Sequence, residues 1–236
     1  MADSANPTVD VLSTLALRGV IEDIAADFRA RNGLVIAATY KSTNAALSMI
    51  ADGASADMTI LTREAIDRLV REDVIVADST ADIAQSGIGV AVRAGAPKPD
   101  IATVAAFRHA MLQAKSIAFS RIGASGIHFA EVIERLGIAA EVRGKAKVGD
   151  SYAGELAARG EAELAVQQLS ELVPVQGIDI VGPFPDALQK VTLFSAGIFN
   201  AAGNADGARQ VIACLTAPDL APLLIRKGLE PARRLS

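Results

Sequence analysis

The sequence predicts an α/β chain assembled from successive βαβ units. Short Val- and Ile-rich runs alternate with amphipathic stretches of about ten residues along nearly the whole length. Gly-containing stops such as Asn32-Gly33 and Asp52-Gly53 punctuate the amphipathic stretches. Four times, an apolar run ends in a short hydroxyl-rich segment that opens a helix. These junctions are Ser13-Thr14, Lys41-Ser42-Thr43-Asn44, the segment from Ser120 to Gly126, and Gly149-Asp150-Ser151-Tyr152.

Taken in order, residues 9–12 read as a strand and residues 15–30 as an amphipathic helix. Leu17, Ile21, Ile24 and Phe28 share one face of that helix, and Asn32-Gly33 stops it. Residues 34–40 give a second strand and 43–51 a second helix. Residues 57–61 give a third strand, and Thr62 caps a helix over 63–71. Beyond a shift in pattern, residues 88–93 form a strand, Thr103 caps a helix reaching Gln113, and 116–119 form a strand. Residues 125–136 form a helix ended by Gly137, 142–148 a weaker strand, and 152–159 a helix ended by Gly160. Residues 164–168 are a strand, and Ser170-Glu171-Leu172 a short helical turn. Residues 178–181 are a strand, Gly182-Pro183-Phe184-Pro185 a rigid loop, and 191–199 a long strand. Two helices follow, over 205–215 and 220–227.

Strands alternating with helices imply right-handed crossovers and mostly parallel sheets. Ligands of such sheets bind beyond the carboxyl ends of the strands, where the four junctions fall. The strands near Gly89 and Ala196 lack a hydroxyl junction and are candidates for strands that cross between two lobes.

Composition narrows the function. The 236 residues carry a formal charge of −4, which gives no basic footprint for nucleic acid. Apolar residues make up 51% and charged residues 21%, as in a globular core-forming chain. No apolar run reaches the length of a membrane span. Cys214, the single cysteine, excludes an internal disulfide and reads as a small buried hydrophobe. With His109 and His128 as the two histidines, a structural zinc site is not expected, and no cofactor is implied. Residues 1–7 have neither a basic nor an apolar leader region. The expectation is a cytoplasmic chain, or a periplasmic one whose leader has been removed.

Each junction has a plain structural reading and a functional one. Ser and Thr are ordinary helix caps. A helix N-terminus also offers unpaired N–H donors and partial positive charge, so a hydroxyl there suits an anion. Recurrence at four strand ends favours the second reading, and three of the four junctions carry no carboxylate. The Gly123-Ala124-Ser125-Gly126 run lets backbone approach a ligand closely. It fits neither the Walker A pattern nor the dinucleotide fingerprint. Arg121 beside it can clamp an oxyanion or sit solvated. Tyr152 can donate its hydroxyl or simply pack. Of Gln167 and Gln168, at the end of one strand, alternation sends one toward the site. His128 and Lys41 join Arg121 as acid/base or cationic candidates, and no catalytic triad or carboxylate pair is visible in the spacing.

These residues, with stretches such as Ala56 to Thr62, Ser86 to Val92, Gly95 to Ile101, Arg159 to Leu164, Val181 to Pro185 and Lys227 to Pro231, give the chain a family likeness. It resembles the molybdate-binding periplasmic proteins, the substrate-binding subunits of molybdate ABC transporters. It is similar to a divergent branch that includes aconitate isomerase. The resemblance implies a type II periplasmic-binding-protein fold with two α/β lobes, mixed but mostly parallel sheets and two crossing strands. One lobe would hold residues 1–88 plus 195–236, the other 89–194. A small anion would be held in a closing interlobe cleft. Ser13 and Ser42 match ligand serines of one lobe; residues 123–125 and 148–152 match ligating segments of the other. Gln167 or Gln168 falls near a ligand tyrosine of the molybdate binders. The implied partners are a small anion and transporter membrane subunits, with the chain a monomer. The ligand is a molybdate- or tungstate-like oxyanion, with the binding role slightly ahead. The alternative is an unsaturated polycarboxylate isomerised without a cofactor, which Arg121 and the glutamines favour.

Overall fold

A computed structural model of the chain describes residues 7–147 and 152–232. The Ser151 expectation, with residues 148–150, therefore lies outside the described residues. The chain divides into two compact units. Unit 1 comprises residues 1–85, 193–226 and 230–236, and unit 2 comprises 86–192 and 227–229. The divisions fall at 86 and 193 rather than 89 and 195, and a short piece near the C-terminus clusters with unit 2.

Unit 1 is organised on a sheet of β1 (Thr8–Thr14), β2 (Val35–Lys41), β3 (Met58–Thr62), β4 (Ala81–Ser86), β10 (Thr192–Ile198) and β11 (Glu230–Pro231), in the order β11-β4-β10-β3-β1-β2. The β2-β1-β3 core is parallel, with Thr14 opposite Lys41 and Ser13 opposite both Tyr40 and Ile60. The carboxyl ends of β1, β2 and β3 thus lie along one edge. The chain enters helix α1 (Arg18–Asn32) through a 3₁₀ turn at Leu15–Leu17. Gly33, at φ 66°, ends the helix in the left-handed conformation that favours glycine. Helices α2 (Thr43–Ala51) and α3 (Arg63–Arg71) bury Ala46, Ile50, Ala65, Ile66 and Leu69 with Leu12, Leu61, Ile75 and Phe199.

Unit 2 has the sheet order β7-β6-β8-β5-β9, from β5 (Ile88–Arg93), β6 (Ile117–Ala118), β7 (Ala146–Lys147), β8 (Leu164–Gln168) and β9 (Ile178–Pro183). Strands β7, β6 and β8 run parallel, so the ends of β6 and β8 share an edge. Strand alternation divides β8. Leu164 and Val166 enter a core with α4 (Val104–Gln113) and α5 (Ala124–Arg135), while Ala165 packs toward α7 (Ala153–Ala158) with Ala91, Ala153 and Ala157. The larger core is centred on edge-to-face aromatic contacts: Phe119–Phe129 at 5.0 Å, Phe107–Phe184 at 4.7 Å and Phe129–Phe184 at 6.1 Å.

The α/β class, with two sheets, is as the sequence predicts, and several elements differ. Strand β5 runs antiparallel to β8 and β10 antiparallel to β3, so the parallel portion is confined to one end of each sheet, β3-β1-β2 in the first and β7-β6-β8 in the second. Residues 142–148 do not form one strand. Ala139–Gly144 is helix α6, because Ala139 and Val142 bury at helical spacing, and only Ala146–Lys147 pairs as strand. Strand β4 lacks a strong local signal and is supported by Gln85 and Ala84 pairing with Glu230 and Pro231, far along the chain. The remaining helices are α8 (Leu169–Leu172), α9 (Ala205–Leu215) and α10 (Ala221–Arg226). Among the described residues no single helix is long and apolar enough to cross a membrane.

Phe129 is fully buried at the middle of the aromatic contacts. Phe129→Ala is expected to destabilise unit 2 by about 3–5 kcal/mol, because the surrounding rings cannot collapse into the space left. Urea unfolding monitored by circular dichroism checks this.

Candidate functional site

The unit 1 edge carries Ser13 and Thr14 at the end of β1, then Lys41, Ser42 and Thr43 at the end of β2. Ser13 and Thr14 are buried, and Ser42 and Thr43 are partly so. Ser13 Oγ donates to the Thr14 carbonyl at 3.0 Å. Thr14 precedes the 3₁₀ turn and makes no side-chain cap, so the first donors of that turn are left open. Ser42 is a cap: its Oγ accepts from Ala45 N at 3.3 Å, which leaves its own proton to donate elsewhere. Thr62 and Thr103 are caps of the same kind. Lys41 is exposed, and its ammonium has no ion pair or hydrogen bond among the described residues. Arg63, which follows the end of β3, is instead bonded to Asp82 at 2.9 Å and Asp67 at 2.8 Å, and these two hydrogen bonds raise its pKa.

The unit 2 edge is built around a loop that needs a missing side chain. A Cβ at Gly126 would lie 1.6 Å from the Ser120 carbonyl oxygen, so only glycine lets the loop lie against α5. Ser120 Oγ accepts from Gly123 N at 3.0 Å and Ile122 N at 3.3 Å, closing the turn. Gly123 precedes α5 without a side-chain cap. The N–H groups of Ala124, Ser125 and Gly126 in the first turn of α5 therefore have no intrahelical acceptor. Ser125 is buried among them. Arg121 is exposed and makes no ion pair or hydrogen bond among the described residues. With Arg143, Phe119, Gly126, Ala130 and Ala146 it lines a cavity of about 290 Å³. Arg143 is held by Glu134 at 2.6 Å.

The two glutamines part company by strand alternation. Gln168 is internal: its amide nitrogen donates to Gly87 O at 2.8 Å and Ser86 O at 3.1 Å, and its oxygen accepts from Thr192 Oγ1 at 2.8 Å. Both its donors are used. Gln167, on the opposite face, accepts from Gly154 N at 3.3 Å and donates from Nε2 to Glu171 Oε2 at 2.6 Å. Glu171 is half-buried, and burial pushes its carboxyl up to about 7 from an ordinary value of 4.5, against the hydrogen bond from Gln167. Next to it, Ser170 Oγ is buried without a partner among the described residues. Tyr152 is half-buried immediately before α7.

His128 is engaged within the fold. Its Nε2 lies 2.8 Å from Leu188 O and its Nδ1 3.5 Å from Glu131, and its side chain is 11% exposed. That arrangement ties α5 to the Asp186–Leu188 turn and leaves the ring little freedom to serve a ligand. Cys214 is half-buried in α9, where burial pushes its thiol up, away from the reactive thiolate. Among the described residues no group of three His, Cys, Asp or Glu side chains is placed to hold a metal ion. Glu171 is the residue that the sequence reading passed over. No helical spacing signals it, because Gln167 lies in strand β8 and Glu171 in helix α8, and the strand-to-helix turn between them is what brings the two side chains together.

The chain matches the family model described as bacterial extracellular solute-binding protein over residues 9–230. It is 35% identical over 231 residues to an aconitate isomerase from a Pseudomonas species, covering 95% of this chain and 88% of that protein. Among solved structures it is similar to the Azotobacter vinelandii periplasmic molybdate-binding protein, with a TM-score of 0.79, 18% identity, and coverage of 95% and 100% of the two chains. It is also similar to the sulfate-binding protein of Mycobacterium tuberculosis, with a TM-score of 0.73, 15% identity, and coverage of 97% and 88%. These likenesses establish the periplasmic-binding-protein fold.

The raised Glu171 carboxyl makes stability depend on pH. Its folded-state value of about 7 lies above the ordinary 4.5, so the folded state binds this proton more tightly. The resulting stabilisation is complete below about pH 4.5 and is lost as the pH rises through about 7. Wild type minus Glu171→Gln should reveal up to ~3 kcal/mol of such loss across this window. Denaturant midpoints at a series of pH values measure it.

Proposed function

Since the chain belongs to the bacterial extracellular solute-binding protein family, we propose that it binds a small anion, and that the anion is an unsaturated polycarboxylate of the aconitate class, which the chain isomerises. The observation that carries this reading is the near full-length, 35% identical relative named aconitate isomerase. The site chemistry supports it. Each edge offers hydroxyls and open N–H groups together with one cation, Lys41 in unit 1 and Arg121 in unit 2, that no described carboxylate neutralises. A guanidinium or ammonium beside open N–H donors suits a carboxylate, to which it can donate charge-assisted hydrogen bonds. Isomerisation by a proton shift along an allylic system needs anchors and a positioned acid/base, and this reading assigns no resident cofactor.

The second reading is a binding protein that captures a tetrahedral oxyanion and passes it to transporter membrane subunits. It is favoured by the hydroxyls of Ser13, Ser42 and Ser125 and by the TM-score of 0.79 to the molybdate-binding protein. In either reading the groups offered to an anion are Ser13, Thr14, Ser42 and Thr43 in unit 1, and Ser125, the N–H groups of residues 124–126 and Tyr152 in unit 2, and the chain acts as a monomer. The family description supports a working place outside the cytoplasm.

Incubating the protein with cis-aconitate, followed by proton NMR, is expected to yield the trans isomer. Unchanged substrate, together with a thermal shift from molybdate but none from aconitate, would give the second reading instead. Arg121→Ala is expected to weaken aconitate binding about 10- to 100-fold, the value of one charge-assisted contact, with little effect on molybdate. Equal losses by calorimetry would remove Arg121 from carboxylate recognition.

A further inference from the structure

We propose that Glu171 carries the proton in this isomerisation. The proposal rests on the isomerase reading above and adds the group that performs its chemical step. The carboxylate removes a proton from the substrate's methylene carbon. The C–H electron pair forms the new C=C bond as the old one opens toward the former vinylic carbon. The Glu171 carboxyl then returns the proton to that carbon. One C–H bond breaks and one forms, Glu171 ends as it began, and no oxidant, reductant or water is consumed.

The geometry that points to Glu171 is a relay of fixed groups. Gln167 cannot turn its amide freely, because its oxygen accepts from Gly154 N and its nitrogen faces Glu171 Oε2 at 2.6 Å. That bond holds one carboxyl oxygen. The other, Oε1, has no hydrogen bond from any described residue. The carboxyl stands one turn beyond the carboxyl end of β8, at the same sheet edge as the end of β6 and the Arg121 loop.

Several other carboxylates of unit 2 have ordinary structural work. Glu134 pairs with Arg143, Glu155 and Glu161 with Arg159, and Glu163 accepts from Lys115 N. Glu171 has no charged partner among the described residues; its one hydrogen bond there is from the Gln167 amide, and burial acts on its carboxyl with no charge beside it. A carboxyl in that setting exchanges its proton near neutral pH, the condition an acid/base catalyst needs. The alternative base, His128, is bound to Leu188 O.

The test uses the intact chain with cis- and trans-aconitate in deuterium oxide. Wild type is expected to interconvert the isomers and place deuterium on the methylene carbon. Glu171→Gln is expected to lower both rates by about 10²–10⁴-fold while aconitate still raises the melting temperature. Glu171→Asp is expected to keep part of the rate and to move the limb of the pH–rate profile that lies near neutrality. A Glu171→Gln protein that works at the wild-type rate overturns the assignment and leaves the isomerase reading standing. Wild-type protein that leaves both isomers unchanged overturns the two together. Should Glu171→Gln fail to fold, the Glu171→Asp profile decides, and an unmoved limb overturns the assignment.

Discussion

The Gln168 amide fixes the point from which the unit 2 edge is built. Its nitrogen holds the Ser86 and Gly87 carbonyls, where the chain enters this unit, and its oxygen receives Thr192 Oγ1, where the chain leaves. Three hydrogen bonds in a buried setting leave the side chain no alternative partner, and removing any of them would strand a polar group away from water. The end of β8 is therefore pinned to both connections. Ser86 extends the tie, since its Oγ accepts from Ser170 N at 3.3 Å and donates to Gly228 O at 2.9 Å.

Pinning Gln168 decides where its neighbour goes. Successive residues of a strand face opposite sides, so Gln167 must point toward α7 once Gln168 points toward the connections. There it meets Gly154 N and Glu171, and a carboxyl that would ordinarily be ionised is drawn toward neutrality by burial. A structural contact and a chemical group are thus coupled through one peptide bond. The Arg121 loop shows the same economy: the glycine at position 126 removes a methyl group, Ser120 closes the turn, and the open donors of α5 follow.

Much of the architecture was legible in the chain. The α/β alternation, the stop at Gly33, the caps at Ser42, Thr62 and Thr103, and the placement of hydroxyls at strand ends all come from rules acting within a few residues. The likeness to solute-binding proteins was also visible, because its stretches are spread over most of the length. What escaped were features decided at long range. Strand β4 is supported by pairing with residues about 145 positions away (Gln85 with Glu230). The weak strand expected over residues 142–148 gave way because tertiary burial of Ala139 and Val142 selected a helix.

The site divides in the same way. Sequence alone determined which residue types stand at the strand ends: hydroxyls, small residues, two glutamines and two cations, a set suited to anions. Local backbone geometry dictates that much, since helix N-termini expose donors whatever the rest of the chain does. Tertiary structure decided which of them are available. It consumed Gln168 and His128 in internal hydrogen bonds, left Lys41 and Arg121 without described ion partners, and placed Glu171 under the Gln167 amide. Those outcomes depend on burial and on partners distant in sequence, and the free energy of a polar group is set by the surroundings that folding gives it.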